Sequence, residues 1–74
     1  MKTLAVASFE ISLNGQPRSV SAGTTVAALL AELGLPVGHV AVEVKLELVP
    51  RARHGEQLLA AGDRVEIVTL VGGG

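Results

Sequence analysis

The sequence predicts a single α+β domain, built as a mixed four- to five-stranded sheet with one helix packed on one face. Three observations carry the prediction. Apolar and polar residues alternate with the period of a strand over residues 9–13 and 40–48. An Asn-Gly pair directly follows the first of these stretches, and an apolar run at helical spacing lies between them. At 74 residues the chain has room for one minimal core, and its 49% hydrophobic content is almost wholly aliphatic, with Phe9 the only aromatic. A domain of this size has no depth for an enclosed cofactor cavity, so chemistry is expected at an edge or an end.

The first strand is Phe9, Glu10, Ile11, Ser12 and Leu13. Asn14-Gly15 then gives the type I′ hairpin signal, because such turns need positive φ at both central positions. A returning strand over residues 16–20 pairs Leu13 with Gln16 and Ser12 with Pro17. Pro17 lacks an N–H, which makes this an edge strand. Residues 1–8 either start strand one or stand outside it as an extension.

The helix follows. Thr25 is its N-cap, and Val26, Leu29, Leu30 and Leu33 form one apolar stripe. Gly34 at C′, Leu35 at C″ and Pro36 beyond predict a Schellman ending with Leu35 against Leu30. Residues 40–48 read as one third strand, after which Val49-Pro50-Arg51 either forms a short further strand or leaves the sheet. An irregular connection anchored by Leu58 and Leu59 ends in the turn Ala61-Gly62-Asp63, where Asp63 organises the turn. The last strand, residues 64–71, carries Val65 and Ile67 on one face and Val68 and Leu70 on the other. Strand, strand, helix, strand, a possible short strand and strand is the order of the β-grasp, or ubiquitin-like, topology. There the first and last strands lie side by side and parallel at the centre of the sheet. The domain proper spans 9–71, leaving 72–74 as a glycine tail.

Composition excludes several functions. The net charge is −1 with no basic run, which removes the electrostatic footprint of a nucleic-acid binder. No cysteine is present, so thiolate catalysis and zinc–thiolate centres are excluded, and a cytoplasmic protein without membrane contact is expected. His39 and His54 lack plausible triad partners and read as solvated or locally hydrogen-bonded imidazoles. Glu10, Glu43 and Glu66 read as solvent-side charges. The chemistry points instead to the end, where a β-forming strand runs into Gly72-Gly73-Gly74. Three glycines add nothing to packing: by themselves they read either as a frayed tail of small residues or as a thin thread that can enter a channel too narrow for any Cβ.

The segments FEISLNGQPRSV, GTTVAALLAELGL, VAVEV with ELVPR, and GDRVEIVTLVGGG together resemble the ThiS family, sulfur carriers of thiamine thiazole synthesis, over residues 9–74. Lys45-Leu46 departs from the pattern, standing where relatives commonly have an Asn-Gly turn. The resemblance implies a carrier and not an enzyme, with no catalytic residue, metal or cofactor of its own. In the family, an E1-like adenylating enzyme of the ThiF type uses ATP and Mg to convert the terminal carboxylate to an acyl-adenylate. A persulfide donor then supplies sulfur, and a ThiG-type thiazole synthase consumes the resulting thiocarboxylate. By this resemblance Gly74 carries sulfur and Gly72 and Gly73 enter the partner's active site. Independently of it, alternation places Val68 and Leu70 on the open sheet face beside the tail, where with Val71 they are either a surface for partner docking or side chains covered by the sheet's own neighbours or by residues 1–7. The tail by itself equally suits carriers for molybdopterin synthesis or tRNA thiolation, or a ubiquitin-like protein modifier.

Overall fold

The computed structural model describes residues 7–70, and its elements are β1 (Ser8–Leu13), β2 (Gln16–Ser21), α1 (Val26–Leu33), β3 (Val40–Val44), β4 (Glu47–Val49) and β5 (Arg64–Thr69). Short 3-10 turns at Val37–His39 and Arg51–Arg53 precede β3 and follow β4. The strands form one sheet in the order β2-β1-β5-β3-β4. β1 and β5 are parallel and every other pair is antiparallel, which is the expected β-grasp arrangement. β2 is an edge strand, and its register places Leu13 opposite Gln16 and Ser12 opposite Pro17, as the two-residue turn requires.

The helix forms where local chemistry favours both ends. Thr25 Oγ1 accepts the Ala28 N–H at 3.1 Å, satisfying one of the orphan donors of the first turn. At the other end Gly34 adopts φ 70, and the N–H groups of Gly34 and Leu35 return to the carbonyls of Ala31 and Leu30, completing the Schellman pattern. Val26, Leu29 and Leu30 are fully buried against Ile11, Val20, Val42 and Val65 of the sheet. Each contributes about 1.5–3 kcal/mol relative to exposure, far more than the intrinsic helix propensity of eight residues. Across the sheet edge, Arg18 of β2 reaches Glu32 of α1 at 3.4 Å, a pair open to solvent and therefore weak.

Two expectations need correction. Residues 40–48 are not one strand: the chain reverses at Lys45-Leu46, so that Val44 pairs with Glu47 and Val42 with Val49. β3 stops where its neighbour begins, since Val44 already faces Val65 near the start of β5. The Lys45 N–H donates to the Arg64 carbonyl at 2.8 Å, and Lys45 Nζ approaches Asp63 Oδ1 at 3.6 Å, holding the turn in place. Both turn residues take positive φ, 55 for Lys45 and 68 for Leu46, so the hairpin forms without the usual Asn-Gly at the cost of left-handed backbone in bulkier residues. The reversal also inverts side-chain parity. Leu48, on the same parity as the buried Val40 in a continuous strand, instead pairs with Glu43 on the open face and is 64% exposed.

The second correction concerns the loop anchor. Leu59 is buried, but Leu58 is exposed and contributes through its backbone, as a bridge opposite Thr25. Bonds from Val26 N to Gln57 O and from Leu59 N to Thr24 O flank that bridge, so alternation sends Leu59 inward and Leu58 out. Asp63 does organise its turn, with Oδ2 accepting the Ala60 N–H at 2.8 Å.

Candidate functional site

β5 is the element that leads to the C-terminus, and it is held from both sides. β1 pairs with it through Ser12 with Arg64 and Leu13 with Val65, and β3 through five residue pairs from Val44 with Val65 to Val40 with Thr69. Beyond the strand, the Leu70 N–H donates to the His39 carbonyl at 2.7 Å, so the chain is anchored up to its last described residue. Val65 and Ile67 face the helix, Val65 fully buried and Ile67 packed at the margin of the core. The alternate residues point the other way. Val68 is 60% exposed and Leu70 48%, and with Ala41, the cross-strand partner of Val68, they form an apolar strip on the uncovered face of the sheet.

That strip is bordered by charge. Glu43 and Glu66 stand directly opposite each other across β3 and β5, a like-charge pair that costs stability, and Arg64 Nε partly offsets it by approaching Glu66 Oε1 at 3.3 Å. Exposed Leu48 lies beyond Glu43. The expected docking residues Val68 and Leu70 are therefore brought together on one surface. Val71, Gly72, Gly73 and Gly74 lie outside the described residues.

Asn14 does more than turn the chain. Its side-chain amide pairs with Ile67 in both directions, Oδ1 accepting the Ile67 N–H at 2.8 Å and Nδ2 donating to the Ile67 carbonyl at 3.2 Å. The backbone N–H of Asn14 donates to the Val65 carbonyl. After β1 has turned away, the amide thus imitates one more residue of strand pairing and extends the support of β5 toward its end. Residue type alone could not reveal this contact, which spans 53 positions in the chain.

The histidines do not form a catalytic centre. His39 is exposed and contributes its carbonyl to Leu70. His54 is buried, against the expectation of a solvated ring but in line with a local hydrogen bond: Nε2 lies 3.0 Å from the Val49 carbonyl, in the sense of a donated N–H, and ties the 51–57 loop to β4. Among the described residues no group of three or more metal-ligating side chains converges, and no helix is long and apolar enough to cross a membrane.

Two of the grooves formed by the described residues lie at opposite ends of the sheet. The larger, about 370 Å³, lies between the Lys45-Leu46 turn and the loop carrying Leu58, at the end of the sheet where β5 starts. The smaller, about 280 Å³, lies at the other end, lined by Leu13, Asn14, Leu33, Leu35, Ile67 and Thr69. Ile67 and Thr69 place the second beside the end of β5.

Comparison with known proteins agrees with this architecture. The ThiS family profile matches residues 11–74, a stretch that includes the three terminal glycines. The crystal structure of a thiamine biosynthesis protein (ThiS) from Geobacter metallireducens superimposes with a TM-score of 0.74 at 30% identity, covering 89% of this chain and all of that one. The chain is also 45% identical over 65 residues to a thiazole synthase of Paramagnetospirillum magneticum and 42% identical over 65 residues to one of Magnetococcus marinus. In both cases 88% of the chain is covered, yet it spans only 20% of the length of these relatives. With the glycine end inside the matched region and the whole sheet reproduced in a solved relative, the chain belongs to the ThiS family.

Proposed function

We propose that this chain is a sulfur carrier of thiamine biosynthesis, with sulfur carried on the C-terminal carboxyl of Gly74. The observation that carries the reading is the placement of β5. A central strand, paired on both sides and anchored at Leu70 by His39, feeds directly into Val71 and three glycines. A rigid body thus presents a thread that no side chain obstructs.

The chemistry asked of the partners follows from the carboxylate itself. It is a poor acyl donor because its leaving group is oxide, so activation must come first. Attack of the Gly74 carboxylate on the α-phosphorus of ATP, with Mg, expels pyrophosphate and leaves an acyl-adenylate. The terminal sulfur of a persulfide then attacks the acyl carbon and expels AMP. A thiol takes the remaining sulfur of the S–S bond into a disulfide, leaving the thiocarboxylate on Gly74. The carrier supplies no acid, base or nucleophile beyond its own end. An E1-like adenylating enzyme of the ThiF type, a persulfide donor and a ThiG-type thiazole synthase are the partners. ATP and Mg belong to the first of them.

The thiazole branch is favoured over molybdopterin synthesis or tRNA thiolation by the two relatives that bear the name thiazole synthase. A segment like this chain inside a polypeptide about five times as long supports that synthase as the consumer of the sulfur. Reconstitution tests the branch. The thiocarboxylate form is expected to support thiazole formation with the synthase and to give no product with the large subunit of molybdopterin synthase; the reverse outcome reassigns the pathway.

A further inference from the structure

We propose that the edge of β5 at Thr69 receives an extended strand of the enzyme that adenylates the C-terminus, so that the sheet is continued across the interface in the slot β1 leaves vacant. This inference rests on the reading above and specifies how that enzyme holds the carrier.

The argument begins with backbone accounting. Successive residues of a strand direct their N–H and C=O groups to opposite neighbours. The Leu70 N–H goes to His39 on the β3 side, so the groups of Thr69 face the β1 side. β1 pairs with β5 only as far as Leu13 with Val65, and the Asn14 amide then satisfies Ile67. Thr69 is the next position in that row, and among the described residues neither a strand nor a side chain meets its N–H. The result is a short stretch of open edge at Thr69, two residues beyond the Ile67 that the Asn14 amide meets and separated from the glycine tail by Leu70 and Val71.

Beside that edge, on the helix side, lies the 280 Å³ groove between Leu33, Leu35, Leu13 and Ile67, with Thr69 on its rim. Strand addition uses two features together, a free edge for main-chain bonds and a pocket for the alternate side chains of the incoming strand. Both are present here, and the groove has the size and apolar lining for one large aliphatic or aromatic side chain. The occupant is fixed by reach. Only residues 71–74 separate Leu70 from the terminal carboxyl, about 13–14 Å of fully extended chain. An enzyme that holds the Gly74 carboxylate therefore has its surface no more than about 14 Å from Leu70, close enough for one of its strands to reach the Thr69 edge.

The test uses hydrogen exchange of the full chain, free and bound to the adenylating enzyme with ATP and Mg, read at single-amide level. The Thr69 amide is expected to exchange freely in the isolated carrier and to become protected in the complex, whereas the Leu70 amide is protected in both. A second arm is a synthetic chain N-methylated at Thr69. It keeps every hydrogen bond of the β3 ladder and the same thermal midpoint, and its affinity for the enzyme is expected to fall by at least about tenfold because the edge is blocked. A complex that forms and yields adenylate while Thr69 exchanges at its free rate, or an N-methylated chain that binds unchanged, overturns the strand addition and leaves the carrier reading standing. Failure to form any complex or adenylate overturns both.

Discussion

Replacing Leu46 by glycine should stabilise this protein, an unusual expectation for the loss of a leucine. In the β3–β4 turn Leu46 has φ 68, a left-handed conformation that costs a side-chain-bearing residue about 1–2 kcal/mol relative to glycine. Against this stands the greater backbone freedom that glycine loses on folding, about 0.5–1 kcal/mol. Little burial is forfeited, because Leu46 is 65% exposed. The balance is a gain of up to about 1.5 kcal/mol, and the middle of that range, about 0.75 kcal/mol, raises the melting temperature of a domain of this length by about 3–6 °C. Lys45 is left in place so that its contact with Asp63 and its N–H bond to Arg64 persist. With no Trp or Tyr in the chain, far-UV circular dichroism during thermal and urea denaturation is the suitable assay. A lower midpoint for Leu46→Gly would refute the reasoning, showing that the leucine side chain contributes more than its backbone conformation costs.

Two further substitutions probe the end of β5. Asn14→Ala removes both bonds to Ile67 and places alanine at φ 49; at this exposed site, where water replaces part of the loss, urea denaturation should report a destabilisation of about 1–2 kcal/mol, and Asn14→Gly, free of the backbone cost, a smaller one. Leu70→Glu should keep the wild-type melting temperature, since the side chain lies outside the core, yet weaken binding to the adenylating enzyme by about tenfold in a titration; unaltered affinity removes the open face from the docking surface.

The parts of the fold that the sequence made legible are those whose signal is local. Asn14-Gly15 set the β1–β2 register, Thr25 and Gly34 bounded the helix, and period-two alternation assigned Val68 and Leu70 to the open face. What it concealed depends on distant neighbours. Residues 40–48 alternate without interruption, and Lys-Leu carries no turn signal; the reversal there follows from where β5 begins and from Arg64 and Asp63 meeting Lys45. The exposed side chain of Leu58 likewise follows from a backbone bridge to Thr25, and the Asn14 amide finds Ile67 only because β1 and β5 run parallel. For the site the division is similar. The glycine end is plain in the sequence, but the supports that hold the strand before it, His39 O for Leu70 and the Asn14 amide for Ile67, emerge only from the assembled sheet.

The central claim is that chemistry happens on the terminal carboxyl and nowhere else in the chain. Intact-mass measurement after incubation with the adenylating enzyme, ATP, Mg and a persulfide source tests it most directly. Exchange of one oxygen for sulfur is expected to add about 16 Da, localised by fragmentation to Gly74 and absent when a residue with a bulky side chain is appended after it. An unchanged mass under conditions where an authentic carrier is loaded, or sulfur found on any other residue, would contradict the account.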